Sequence, residues 1–66
     1  MAQKVIKVVG TSKESFAKAA ENAAAEAAKT VRNLKWTRVC GLEMELDGTN
    51  IAQYRTTTNI YFDIEE

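Results

Sequence analysis

Histidine is absent from the chain, and cysteine occurs once, at Cys40. Without histidine the common zinc-ligand spacings cannot be written, and nothing of the usual kind activates Cys40 as a nucleophile. A lone cysteine forms no disulfide within its chain, and it reads as a small, partly buried residue of a reducing compartment. Net charge is also missing: nine lysines and arginines balance nine carboxylates. Charge therefore gives no pull toward a nucleic-acid backbone or an acidic membrane. No apolar run approaches the roughly 20 residues that cross a bilayer, and the N-terminus opens on a strand-like pattern instead of a signal-peptide core. A soluble, cytoplasmic protein is expected. Phosphate-cradling glycine loops, nucleophile elbows and metal-ligand clusters are not found, so an enzyme is not expected.

The length of 66 residues allows one domain, residues 1–66. A domain of this size buries only about 60% of the surface its unfolded chain exposes, and it usually needs a disulfide, a metal or self-association. The first has been excluded and the common zinc sites with it, which leaves self-association as the support.

Residues 4–9 are valine and isoleucine interrupted by Lys4 and Lys7, a composition that favours a half-buried strand. Thr11 and Glu14 fit a capping box, with Ser12 as the alternative cap. From Lys13 to about Asn33 the chain is rich in helix formers. Phe16, Ala19, Ala20, Ala23, Ala27, Val31 and Leu34 recur at helical steps. This predicts one amphipathic helix with a stripe made mostly of alanine, ending near Lys29 and Arg32, where cations suit the helix dipole. Residues 36–46 and 51–64 read as strands, and Asp47 to Asn50 supplies a hairpin turn. On the last strand Tyr54, Thr56, Thr58, Ile60, Phe62 and Ile64 share the face expected to meet the helix. Arg55, Thr57, Asn59, Tyr61 and Asp63 share the other. The expected fold is α+β: strand-helix-strand-strand, an antiparallel three-stranded sheet around one helix, with the final strand in the middle.

Trp36 is the only tryptophan. Its neighbours Lys35, Thr37 and Arg38 are polar, so the indole is placed to stack on something outside its own subunit; an aromatic of a core or an interface is the alternative. Glu43, Glu45 and Asp47 alternate along one strand, and Asp63, Glu65 and Glu66 close the chain. Such acids form either a solvated face or a site for a hard cation such as calcium or magnesium. Arg55 suits a salt bridge to Glu43, Glu45 or Asp63, or a negative ligand group.

Lys4-Val5-Ile6 leading into Gly10-Thr11-Ser12, the alanine-rich helix, Trp36 just beyond it, and a closing strand that opens with Tyr54 and carries Phe62 together resemble the dodecins over nearly the whole chain. The resemblance implies a hollow homododecamer of cubic symmetry that stores or buffers flavins and is not an enzyme. It also implies flavin pairs sandwiched between symmetry-related tryptophans at two-fold contacts, the position of Trp36. The implied cofactor-binding positions are Trp36, Arg55, Lys35, Glu45 and Gly41. Arg55 stands where many members carry a glutamine that hydrogen-bonds the flavin ring. Gly41 stands at the position of an acidic residue near the flavin side chain, and Lys35 replaces a commonly apolar neighbour of the tryptophan. Glu45 keeps the acidic type. The implied ligand is riboflavin, FMN or lumichrome, with Arg55 and Lys35 favouring a phosphorylated flavin. Some dodecin-like proteins combine an arginine at the Arg55 position with loss of the tryptophan and bind no flavin. A shell without flavin that holds a cation is therefore the alternative. A third reading is a partner-binding module that uses the edge of the first strand.

Overall fold

The computed structural model describes residues 2–64. Its elements run β1 (Gln3–Ser12), α1 (Phe16–Ala27), β2 (Leu34–Asp47) and β3 (Asn50–Asp63). The sheet order is β1-β3-β2 with both pairings antiparallel, so the last strand is central, as expected from the sequence.

The helix starts later than the capping pattern predicts. β1 continues through Thr11 and Ser12, which pair with Arg55 and Tyr54, and so neither residue is free to cap. Ser15 takes that role: its backbone is extended and its Oγ accepts from Lys18 N at 2.9 Å. Ser12 Oγ instead accepts from Glu14 N at 2.9 Å and holds the bend between strand and helix. Ser15→Ala is expected to lower stability by about 1 kcal/mol, the usual worth of such a cap, read from a urea unfolding curve. An unchanged midpoint would mean that the hydroxyl adds nothing at this helix end.

α1 also ends earlier, at Ala27 and not near Asn33. Thr30 N and Val31 N both bond Ala27 O, at 3.2 and 2.9 Å, which closes the last turn. Asn33 then takes a φ of 62°, a left-handed conformation that asparagine tolerates better than most residues, and sends the chain into β2. Lys29 and Arg32 consequently lie beyond the helix. Lys29 pairs with Glu26 at 2.9 Å, and Leu34 opens β2 instead of extending the alanine stripe. At the hairpin, Asp47 pairs with Asn50 across Gly48 and Thr49. The positive φ of 65° falls on Gly48, the first central position of a two-residue turn, where glycine is favoured.

Ala19, Ala23 and Ala27 are the buried stripe of α1, and they face Thr56, Thr58 and Ile60 of β3 and Gly10 of β1. The two buried threonines carry their own partners. Thr56 Oγ1 donates to Phe16 O and Thr58 Oγ1 to Val8 O, each at 2.9 Å, so neither of these buried hydroxyls is left unpaired. Phe16 meets Tyr54 edge to face at 4.9 Å.

A helix of 12 residues is about 18 Å long, whereas 14-residue strands extend about 48 Å. α1 therefore covers only part of the sheet; it packs on β1 and β3 and barely reaches β2. Val39, Leu42, Met44, Leu46 and Ile51 are left 46 to 61% exposed. They make an apolar strip along β2 and the start of β3 that α1 does not cover, the kind of surface that marks an interaction site.

Candidate functional site

The face of the sheet away from α1 is organised in rows by the strand register. Val5, Tyr61 and Trp36 lie side by side across β1, β3 and β2, followed by Lys7, Asn59 and Arg38. Next come Val9, Thr57 and Gly41, and then Thr11, Arg55 and Glu43. Gln53 and Glu45 end the face on the two strands that continue.

Two irregularities in β2 put these residues on one face. Leu34 pairs with Phe62 on the helix side, and simple alternation would place Trp36 there too. Lys35 is an extra residue at a bulge, however, so Trp36 pairs with Tyr61 on the open face. A second bulge at Cys40, between Val39 and Gly41, turns Glu43 and Glu45 to that same face. It also explains why Cys40 is exposed, contrary to the partly buried residue expected from its type.

The indole of Trp36 is 58% exposed. Its ring centroid lies 5.2 Å from that of Tyr61, with planes inclined at 34°, inside the range of favourable aromatic pairs. Tyr61 thus backs the indole and leaves its outer side open. The pairing was not legible before the register was known, although alternation had placed Tyr61 on this face.

Arg55 Nε lies 3.5 Å from Glu43 Oε1, with both side chains more than half exposed. A pair of this kind is worth about 0–1 kcal/mol and opens easily. Together with Glu45, Gln53, Val9 and Thr11 it lines a cleft of about 310 Å3. Lys35 does not join them: its Nζ lies 3.7 Å from Asp63 Oδ2, while Asp63 Oδ1 accepts from Gln3 at 2.9 Å. Gly41 lies in the middle of the face, and a Cβ there would sit 3.7 Å from Thr57 Cβ, an ordinary contact.

The residues singled out from the sequence thus fall at two ends. Arg55 and Glu45 gather at one end and Trp36 stands at the other, with Gly41 between them. From Tyr61 to Arg55 is six residues along β3, about 20 Å at the rise of an extended strand. One flat aromatic ring on one subunit cannot touch both. Among the acids, Glu43 is held by Arg55 and Asp63 by Lys35, while Glu65 and Glu66 lie outside the described residues. Among the described residues, no three carboxylates or thiolates come together as a metal site, and no helix is long and apolar enough to cross a membrane.

Comparison with known proteins agrees with this architecture. Residues 2–65 match the Dodecin family model. The dodecin of Thermus thermophilus is 32% identical over 63 residues, which cover 96% of this chain and 91% of that protein. The dodecin of Streptomyces davaonensis superposes with a TM-score of 0.94 at 31% identity, covering 98% of this chain and 96% of the other. The calcium dodecin of Mycobacterium tuberculosis, described as calcium-chelating with a novel calcium-binding site, superposes with a TM-score of 0.84 at 29% identity over 98% and 93% of the two chains. With its topology, its open tryptophan face and a family match along nearly its whole length, the chain belongs to the dodecin family.

Proposed function

We propose that this protein is a flavin-binding storage or buffering protein, built as a homododecamer, and not an enzyme. The observation that carries the reading is Trp36: more than half exposed, backed by Tyr61, and turned by a bulge onto the face without the helix. An indole held in this way offers a flat donor surface to an isoalloxazine ring, worth about 0.5–1.5 kcal/mol beyond the area it buries.

The separation of Trp36 from Arg55 favours a site made by two subunits. Arg55 is able to donate to flavin carbonyls but not to accept from the ring N–H. Glu45, in the same cleft, supplies an acceptor. The uncovered apolar residues of β2 support an assembly larger than a pair, since they lie on the opposite side of the sheet from Trp36.

A cation shell of the kind described for the Mycobacterium tuberculosis relative is less well supported, because among the described residues no three carboxylates or thiolates come together. Titration of size-checked protein with riboflavin, FMN and lumichrome tests the proposal. Saturable quenching of flavin fluorescence is expected at about one flavin per subunit, since each subunit supplies a single Trp36. Absence of quenching by all three ligands, with calcium raising the melting temperature, would overturn it in favour of the cation shell.

A further inference from the structure

We infer that Tyr61 is the positioning residue of the aromatic site: it holds the indole of Trp36 in one orientation, so that the stacking surface exists before a ligand arrives. The inference rests on the stacking role proposed for Trp36 and names the residue that prepares it.

An indole on β2 needs such a support. In the order β1-β3-β2 this strand is an edge, so Trp36 has a cross-strand neighbour on one side, and that neighbour is Tyr61. Along β2 the bulge at Lys35 leaves Leu34 on the helix side, paired with Phe62, and Lys35 itself pairs with Asp63. An exposed side chain with several rotamers and few neighbours has to be ordered by whatever binds it, and this ordering lowers affinity.

Tyr61 is better fixed. It lies on the central strand, with Val5 beside it on β1 and Trp36 on β2, and it is only partly exposed. The next residue of β3 on the same face, Asp63, accepts from Gln3 of β1 at 2.9 Å and lies 3.7 Å from Lys35 Nζ of β2. Both outer strands are thereby tied to β3 at this end. The phenol ring thus stands on the fixed part of the sheet, and the indole lies against it with ring centroids 5.2 Å apart and planes inclined at 34°. A ring contact this close takes up one side of the indole and leaves a planar ligand the other. The contact is made ring to ring, so the role belongs to the ring and not to the hydroxyl, and phenylalanine should fill it.

Riboflavin affinity measured by equilibrium dialysis, a signal that does not depend on an indole, tests the assignment. The proteins compared are the wild type, Tyr61→Ala, Tyr61→Phe, Trp36→Ala and the Trp36→Ala/Tyr61→Ala double variant, each checked by size exclusion. Tyr61→Ala is expected to weaken binding about fivefold, within the range to which the energy of an aromatic pair converts, and Tyr61→Phe should restore it. In the Trp36→Ala background the loss of Tyr61 should change nothing further, because no indole is left to hold. Time-resolved anisotropy of the single tryptophan in the ligand-free protein supplies a readout that a merely structural role would not move. Fast local motion should grow in Tyr61→Ala and not in Tyr61→Phe. If Tyr61→Ala fails to assemble, Tyr61→Leu keeps the bulk without the flat ring, and the same loss and the same motion are expected. Wild-type affinity without the ring, unchanged motion, a Tyr61→Phe protein as weak as Tyr61→Ala, or an equal loss in the Trp36→Ala background would overturn the role of Tyr61 and leave the stack standing. Wild-type protein that binds no riboflavin would overturn both.

Discussion

Replacing Gly10 with alanine is expected to cost about 3 kcal/mol or more, at the upper end of the range for forced overpacking, and so to leave little of the subunit folded at ambient temperature. A Cβ at Gly10 would overlap Ala19 O and would lie 2.8 Å from Ala23 N and 2.9 Å from Ala19 C. All three are backbone atoms of a hydrogen-bonded helix, so no flexible side chain can move aside and the whole of α1 would have to lift from the sheet. Lifting it would separate Ala19, Ala23 and Ala27 from Thr56, Thr58 and Ile60, which are the buried contacts of the subunit. A domain of this size has only a few kcal/mol to lose. Gly41→Ala is the matched control: its Cβ would meet Thr57 at 3.7 Å, and a change within about 0.5 kcal/mol is expected there. Circular dichroism melts of both variants decide the matter. A Gly10→Ala protein that melts with the wild type would show that α1 does not need its close seat.

The second large effect is expected at Trp36. Trp36→Ala should weaken flavin binding by at least about 30-fold, corresponding to about 2 kcal/mol or more for a central aromatic contact, and should abolish the quenching that depends on an indole against the ring. The subunit itself should be affected little, because Trp36 is more than half exposed and is not among the buried core residues. Trp36→Phe keeps a stacking surface but supplies a poorer electron donor, so it should retain part of the affinity and lose most of the quenching. Titration with riboflavin after a sizing run separates these outcomes. A properly assembled Trp36→Ala protein that still quenched flavin would show that the ligand stacks elsewhere.

Much of this molecule was legible in local signals. The β-branched run after Lys4 gave β1, the alanine periodicity gave α1, and alternation along β3 sorted Thr56, Thr58 and Ile60 from Arg55, Thr57 and Asn59 onto the correct faces. The helix ends were less legible. Thr11 with Glu14 forms a local capping pattern as good as that of Ser15, and only the pairing of Thr11 with Arg55, a contact distant in sequence, removes it from consideration. Likewise, nothing in the alanine-rich run marks Ala27 as the last helical residue; the left-handed turn at Asn33 does so by redirecting the chain.

By itself the sequence determined the kind of protein this is: an α+β domain of strand, helix and hairpin, with a thin, alanine-lined core and a tryptophan among polar neighbours. These features follow from periodicity and composition within a few residues, which is the range over which side chains compete for local structure. Tertiary structure alone decided which residues face one another. A strand has a side-chain period of two, so one inserted residue inverts every assignment beyond it. The bulges at Lys35 and Cys40 do this twice, and they bring Trp36, Gly41, Glu43 and Glu45 to one face where alternation would have divided them. The row of Lys7, Asn59 and Arg38 likewise exists only through the register of strands far apart in the chain, and no local pattern records a register fixed by packing across the whole sheet.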